Sequence, residues 1–234
     1  ALPFGSAFDE AQAELLKGKT LEQAIKKFNT LWEKPKINGE TVSGPETNKI
    51  SYYGSDTKEG LADTAWESLK IKGELMLKAY QQDIIPEIKD VLSIQEPIMI
   101  KNEKGDYIMG FADIIIEHKD GRKLVIDNKT SAKAYPGDAV IVGEKAKQLA
   151  LYYEALKDKY SLDGAGFFVS EKYIRKREPQ ARTQILIDKI PEEVIEQTFD
   201  EFDVVLYNIR MGRFPSNHPD CNTYYGNCLC NLYV

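Results

Sequence analysis

The strongest constraint on the fold is a pair of apolar runs separated by a glycine turn. "YIMGFADIIIEH" spans residues 107–118 and "RKLVIDNK" spans residues 122–129. Both runs are rich in β-branched residues, and Asp120-Gly121 between them is a dipeptide typical of hairpin turns. These residues predict an antiparallel β-hairpin against which the rest of the chain must pack.

The length of the hairpin loop leaves two alternatives. A two-residue loop puts Asp113 and Asp127 on opposite faces, whereas a three-residue loop with Gly121 at positive φ sets them directly opposite each other. Directly opposed residues have Cβ atoms about 4.5–5.5 Å apart. Carboxylates that close repel each other unless one is protonated or a cation lies between them. We favour the three-residue loop, because it also places Lys129 on that face and so assembles a metal site beside an ammonium group.

This set of side chains has a clear chemical use. Mg²⁺ prefers carboxylate and carbonyl oxygens, which Asp113, Asp127 and the backbone carbonyl of Asn128 can provide. Such an ion lowers the pKa of a bound water and neutralises charge on a phosphoryl group. Lys129 could orient or help to deprotonate that water, or stabilise the phosphate. The alternative is an ordinary ion pair at a sheet edge, since D-x-K triplets are common by chance.

The remaining patterns predict one α/β domain with a mixed central sheet flanked by helices. We divide residues 1–234 into a mainly helical part (1–95), a sheet core with the active site (96–190), and a terminal helix with a cysteine-containing tail (191–234). Lys34–Thr57 is polar and is predicted to be a loop. Apolar spacing and capping residues predict helices over Gly5–Lys17, Leu21–Trp32 with Thr20 as N-cap, Leu61–Tyr80, Asp83–Val91, Gly143–Lys159 and Pro191–Arg210.

Charge and composition limit the classes of function. No apolar run is long enough to cross a bilayer and no signal peptide is visible, and three cysteines argue against a disulfide framework, so we expect an intracellular, cytoplasmic protein without a membrane partner. The net charge of −6 means that nucleic-acid binding must depend on local basic patches. One such patch lies between Glu171 and Arg182, and the alternative is a solvated charged loop. It contains Lys172, Arg175, Lys176 and Arg177.

Five stretches occur in an order that resembles a known family. They are "FGSAFDEAQ", "GFAD", "IDNKTS", "QLALYYEAL" and "GRFPSNHPDC". Together they resemble the PD-(D/E)XK nuclease superfamily, and within it the RecB-like branch that includes CRISPR adaptation nucleases and many phage exonucleases. The resemblance implies a restriction-endonuclease-like core and Mg²⁺- or Mn²⁺-dependent hydrolysis of DNA, with Asp113, Asp127 and Lys129 as catalytic residues.

The resemblance also assigns roles on the first helix. That branch carries a histidine ligand at the position of Asp9, so the resemblance implies that Asp9 is a metal ligand. Aspartate is a competent ligand for Mg²⁺ or Mn²⁺. Glu10, Glu14 and Glu74 are rival ligands, and Asp9 could instead only favour its helix through the helix dipole.

Further residues are assigned in the same way. Gln148 and Tyr152 are four residues apart and share a helix face. The resemblance places Gln148 at the periphery of the metal or at a phosphate, and Tyr152 at the DNA backbone. The alternatives are a solvent-facing glutamine and a tyrosine packed on the sheet. The hydroxyls of Thr130 and Ser131 are placed for phosphate contact, or they simply end the strand.

Three cysteines crowd the C-terminus, at Cys221, Cys228 and Cys230. Many RecB-like nucleases bind an iron–sulfur cluster there, so the resemblance implies a possible [4Fe-4S] cluster, or zinc. The fourth ligand could lie upstream of the given sequence, or His218 could replace it. The alternative is three reduced thiols.

The expected function is therefore a metal-dependent deoxyribonuclease. An exonuclease acting on single-stranded or frayed DNA ends is favoured over a sequence-specific endonuclease, because no second domain is present to read bases. The alternative is a DNA-binding or scaffolding module of the same fold that has lost catalysis. Expected partners are DNA and proteins of a recombination, repair or phage replication complex.

Overall fold

A mixed five-stranded sheet lies at the centre of the computed structural model, in the strand order β3–β4–β5–β6–β7. The structure describes residues 2–32, 36–37, 40–41, 61–101, 105, 107–172 and 180–213. Neighbouring strands are antiparallel except β5 and β6, which are parallel. The strands are β3 (Ile88–Lys101), β4 (Tyr107–His118), β5 (Lys123–Ser131), β6 (Gly164–Glu171) and β7 (Arg182–Asp188).

In the described ranges, five helices cover the two faces of this sheet. The helix α4 connects the parallel strands β5 and β6, as a parallel pair requires. Thr20 is the N-cap of α2, as the sequence predicted, and it forms a capping box with Gln23. The helices are α1 (Leu2–Leu16), α2 (Leu21–Leu31), α3 (Leu61–Ala79), α4 (Glu144–Tyr160) and α5 (Glu192–Arg210). None of the helices in the described ranges is long and apolar enough to cross a membrane.

The core consists of two apolar layers, one on each side of the sheet. Under α1–α3, the rings of Phe4 and Phe28 pack edge to face with centroids 5.6 Å apart. Under α4 and α5, the apolar side chains of β4, β5 and β6 pack against residues such as Leu149 and Ile195. Every residue of β6 is buried, because this strand has a paired neighbour on each side and a helical layer on each face. The predicted fold class, one α/β domain with a mixed sheet, is confirmed.

The hairpin of β4 and β5 has the three-residue loop. His118 donates its N–H to the carbonyl of Arg122 at 2.8 Å, and Gly121 has a φ of +92°. Pairing continues from Glu117 and Lys123 to Ile114 and Ile126. This register is the one in which the next opposed pair would be Asp113 and Asp127.

Two of the predicted elements differ from the structure. The helix predicted over Asp83–Val91 is wrong beyond Glu87: a π-helical turn (Tyr80–Ile84) and a 3₁₀ turn (Ile85–Glu87) lead directly into β3. The predicted loop Lys34–Thr57 contains a short antiparallel pair, β1 (Lys36–Ile37) with β2 (Glu40–Thr41), and the rest of that loop lies outside the described residues.

Gly166 in β6 tests how tightly the sheet is packed. A Cβ at Gly166 would lie 2.4 Å from the backbone oxygen of Leu186, which cannot move away without breaking the pairing with β7. We expect Gly166→Ala to lower the free energy of unfolding in urea by about 1–3 kcal/mol. Gly137→Ala is the matched control, because nothing lies within 4 Å of its Cβ position. A Gly166→Ala protein as stable as the Gly137→Ala protein would contradict this packing.

Candidate active site

The candidate site lies where β4 separates from β5. Strand pairing ends at Ile114 and Ile126, whereas β5 continues along β6 as far as Ser131. The gap is closed by a side chain, because Oδ2 of Asp113 accepts a hydrogen bond from the backbone N–H of Asn128 at 2.9 Å. The Asp113 carboxylate therefore takes the place of a strand-to-strand hydrogen bond at the end of the hairpin.

On the other side of β4, Gln95 of β3 also contacts this carboxylate. Its side-chain amide donates to Oδ1 of Asp113 at 3.4 Å, and its φ is +55°. A positive φ is uncommon for a residue other than glycine, and such conformations occur often at functional sites. Asp113 is thus held from both neighbouring strands.

The Lys129 ammonium group is held between a carboxylate and an amide. Its Nζ lies 2.7 Å from Oδ2 of Asp127 and donates to Oε1 of Gln148 at 3.0 Å. The Gln148 amide in turn donates to the Tyr152 hydroxyl at 2.8 Å. Gln148 and Tyr152 are on one face of α4, as their spacing predicted. Through Gln148, α4 thereby fixes the position of the Lys129 ammonium group, which is carried by β5.

Burial raises the pKa values of all three aspartates, and the charge of Asp113 adds to the shift at Asp127 and Asp9. Asp127 is only 1% exposed, and burial, followed by the Asp113 charge, raises its pKa to about 7 although Lys129 opposes the shift. Burial and then Asp113 likewise raise the pKa of Asp9 to about 7. Burial also raises the pKa of Asp113, against the hydrogen bond from Asn128. A divalent cation would relieve this repulsion.

Two lysines near these carboxylates have pKa values that are shifted in opposite directions. Burial favours a lower pKa for Lys129, but the charges of Asp127 and Asp113 outweigh it and raise the pKa, so the group is charged at neutral pH. Burial lowers the pKa of Lys172, with partial compensation by Asp9. The ammonium of Lys172 lies 4.9 Å from the centroid of the Phe4 ring.

Comparison with known proteins identifies the family. The sequence model of the PD-(D/E)XK nuclease superfamily matches residues 3–230. This chain is a PD-(D/E)XK nuclease superfamily member. No curated protein matches it. Among solved structures, one described as "Crystal structure of SSO0001" shares 16% identity with it, at a TM-score of 0.37, with 74% of this chain and 71% of that chain covered.

Nucleases of this superfamily generally use divalent metals such as Mg²⁺. In this PD-(D/E)XK protein the donors fit such an ion: the Asp127 carboxylate is buried and anionic oxygen is the donor type that Mg²⁺ prefers, although its Oδ2 is also contacted by the Lys129 ammonium at 2.7 Å. Asp113 and the Asn128 carbonyl are oxygen donors of the same hard type. Over the described ranges, however, no three acidic, histidine or cysteine side chains are grouped closely enough to bind a metal. Asp9 is coupled to the site through its charge, without completing such a group.

The rivals of Asp9 are engaged elsewhere in this PD-(D/E)XK fold. Glu10 lies 3.6 Å from the Lys27 ammonium, and Glu14 lies 3.2 Å from that of Lys17. The carboxylate of Glu74 accepts a hydrogen bond from the Asn29 side chain at 2.8 Å. Asp9, by contrast, is placed by the first helix where the charges of Asp113 and Lys129 act on its pKa.

The predicted DNA-binding residues of the superfamily member are only partly described. Thr130 faces the start of α1, since a Cβ on Gly5 would lie 3.9 Å from its hydroxyl. The Ser131 carbonyl accepts the backbone N–H of Lys172 at 2.7 Å, so these two residues are adjacent at the end of the sheet. Arg175, Lys176 and Arg177 lie outside the described residues, as do Cys221, Cys228 and Cys230. Their proposed roles in DNA binding and in metal or cluster binding stay predictions.

Sequence reasoning missed two residues of this PD-(D/E)XK site. One is Gln95. The other is Tyr80, which is fully buried and donates its hydroxyl to the side-chain oxygen of Asn128 at 3.1 Å. No motif marks either residue. The apolar residues that follow Pro86 are the one signal that could have predicted an earlier start for β3. With that start, Gln95 would have been placed in the strand next to Asp113.

Proposed function

We propose that this chain is a Mg²⁺- or Mn²⁺-dependent deoxyribonuclease that works as an exonuclease on single-stranded or frayed DNA ends. The observation that carries the proposal is the convergence of Asp113, Asp127 and Lys129 at one point, where β4 leaves β5. Membership of a nuclease superfamily supports the reaction class. Phosphodiester hydrolysis is the reaction that these groups suit, because they combine an anionic oxygen site with a charged donor.

The two carboxylates and the Asn128 carbonyl would hold the cation. When bound, the ion would supply a water of lowered pKa and neutralise charge that develops on the phosphoryl group. Asp113 is positioned for this by the hydrogen bonds from Asn128 and Gln95. Asp9 would adjust the charge of the site from α1, as a further ligand or through its field.

The task of Lys129 is electrostatic. Its raised pKa keeps it protonated at neutral pH, so it serves as a fixed positive charge beside the scissile phosphate rather than as a base. Gln148 and Tyr152 act through Lys129: the Gln148 amide oxygen accepts a hydrogen bond from the ammonium, and the Tyr152 hydroxyl accepts one from the amide N–H of Gln148. Thr130, Ser131 and Lys172 would contact the phosphates of the strand that enters the site.

An alternative function is a binding module that kept the fold without catalysis. Intact carboxylates and an oriented lysine argue against it, because Asp127 and Asp9 raise the electrostatic cost of the site and bring no evident benefit to folding. Activity itself decides between the two.

End-labelled DNA tests the proposed reaction. With Mn²⁺ or Mg²⁺ we expect linear single strands labelled at the 5′ or the 3′ end to be shortened stepwise from one end, while circular single strands persist. EDTA or Asp113→Ala is expected to stop the reaction, since EDTA removes the metal ion and the substitution removes one of its proposed ligands. Internal fragments from circles would show an endonuclease instead. Binding without cleavage under every metal condition would support the inactive module.

A further inference from the structure

The β3–β4 pair extends past the rest of the sheet as a two-stranded arm. β5 pairs with β4 only along residues 114–117, whereas β3 and β4 pair as far as Lys101 and Tyr107. Residues 97–101 and 107–111 therefore form an arm that, within the described part of the chain, has no further strand at its β4 side. Within it, Met99 pairs with Met109, and Pro97 pairs with Phe111.

The two faces of this arm have opposite properties. On one face, Ile98 is buried in the layer under α4 together with Ala112 of β4. On the other face, Met99 is 66% exposed, Met109 74% and Phe111 60%. We call this exposed side the arm face, and it consists of Pro97, Met99, Lys101, Tyr107, Met109 and Phe111, which alternate with buried and half-buried positions.

The arm lies next to the candidate site along β4. Phe111 is two residues before Asp113 along β4, a distance of about 7 Å at the rise of a strand. On β3, Pro97 follows two residues after Gln95, which contacts Asp113. From Phe111 to Tyr107 the face extends roughly 13 Å further from the carboxylates.

The chemistry of the arm face resembles that of a nucleobase platform. Two aromatic rings, Phe111 and Tyr107, are exposed along one strand, and Lys101 lies 5.7 Å from the Tyr107 ring centroid. Lys101 is the one charged residue among the six, in a chain of net charge −6. Aromatic rings with adjacent cations bind single strands by stacking on bases, whereas the bases of a duplex are already stacked on each other.

We propose that the arm face is a base-stacking platform that holds the single-stranded end of the DNA and directs it to Asp113 and Asp127. This inference rests on the proposed nuclease function, and it names the surface through which that function would prefer single strands. Phe111 holds the base nearest to the scissile phosphate. Tyr107 stacks on a base further along, while Lys101 offsets the negative charge of the backbone.

Binding of a fluorescently labelled oligothymidylate in EDTA tests the proposal without cleavage. By anisotropy we expect Phe111→Ala to weaken single-strand binding about tenfold, as loss of one base–aromatic stack does. Phe111→Trp should bind as wild type does, and Phe111→Leu should bind as weakly as Phe111→Ala. A merely apolar contact would be kept by leucine, so wild-type binding by Phe111→Leu overturns the proposal.

The chain offers a matched control for exposed tyrosines. Tyr107 on the arm is 52% exposed and Tyr207 on α5 is 55% exposed. We expect Tyr107→Ala to weaken binding of the single strand several-fold, with binding of a blunt duplex changed less than about twofold. Tyr207→Ala should change neither. Equal effects of the two substitutions would overturn the proposal.

A self-association interface, a failed stacking platform and a failed nuclease function each give a distinct result. If Phe111→Ala shifts the sedimentation coefficient toward a smaller species and leaves oligonucleotide binding intact, the arm face is an interface between two copies, and the proposal is overturned. If wild type and Phe111→Ala bind and degrade single strands equally, the platform fails while the nuclease function stands. If Phe111→Ala loses binding but wild type cleaves nothing with any metal, the platform stands and the proposed catalysis fails.

Discussion

Lys129→Ala is expected to lower the single-turnover rate of DNA cleavage by about 10²–10³-fold, which is the cost of removing one oriented donor from a transition state. The ammonium is held by Asp127 at 2.7 Å and by Gln148 at 3.0 Å. Alanine therefore leaves this position without a charged donor. Lys129→Arg should restore little activity, because a planar guanidinium does not fit a position shaped for a point charge. The rate should be measured with saturating metal and enzyme in excess over labelled single-stranded DNA.

The control for Lys129 is a lysine of similar type in a different position. Lys157 on α4 pairs with Glu154 at 2.7 Å. We expect Lys157→Ala to cleave at the wild-type rate. A Lys129→Ala protein within threefold of Lys157→Ala would show that the ammonium takes no part in the reaction.

Substitutions of the residues that hold Lys129 in place should lower the cleavage rate to different extents. Gln148→Leu removes the acceptor that holds the ammonium, and we expect a loss of about tenfold, since one hydrogen bond to a charged group contributes about 1.5–3 kcal/mol. Tyr152→Phe removes only the partner of Gln148 and should cost less. Because both act through Lys129, neither should reduce the rate further in a Lys129→Ala background. Additive losses would mean that Gln148 contacts the substrate directly.

Local sequence predicted the hairpin and the register that sets Asp113 opposite Asp127, because a turn fixes the register of the strands over several residues. Gly121 at positive φ fixes the three-residue loop, and alternation from there determines which residues oppose Asp113. The same reasoning was wrong over Asp83–Val91. Ile84, Ile88 and Val91 have helical spacing, but pairing with β4 and burial in the layer under α1–α3 override it from Ile88 onward.

The parts of the site that sequence could not predict depend on tertiary contacts. Gln95 has a positive φ and contacts Asp113 from the neighbouring strand, and no local sequence pattern specifies that contact. Gln148 was expected at the metal or a phosphate, and its role as the partner of Lys129 requires knowledge of how α4 packs on β5. The spacing of Gln148 and Tyr152 gave their common face, but not the group that this face would meet.

Asp127→Asn is expected to abolish cleavage and at the same time to stabilise the metal-free protein. At pH 8 in EDTA the buried Asp127 is ionised against its surroundings, since its pKa is raised from 3.8 to about 7 by burial and by Asp113. Asparagine has nearly the same shape and carries no charge. We expect a gain on the order of 2 kcal/mol in the free energy of unfolding, allowing for the ion pair with Lys129 that is lost.

The pH dependence of this gain gives the sharper test. Between pH 3.8 and about 7 the folded protein retains a proton on Asp127 that the unfolded chain has lost, so unfolding releases a proton and wild-type stability falls as pH rises. The stability difference between Asp127→Asn and wild type should therefore grow across this window and level off above it. Asp120 is the control of opposite sign, because Arg122 lowers its pKa and Asp120→Asn should destabilise at neutral pH.

Mn²⁺ should raise the melting temperature of wild type and leave that of Asp127→Asn unchanged, since a bound cation removes the repulsion only where the carboxylate remains. A variant that melts below wild type in EDTA at pH 8 would show that Asp127 is an ordinary stabilising ion pair, and a site without stored repulsion has no need of a metal.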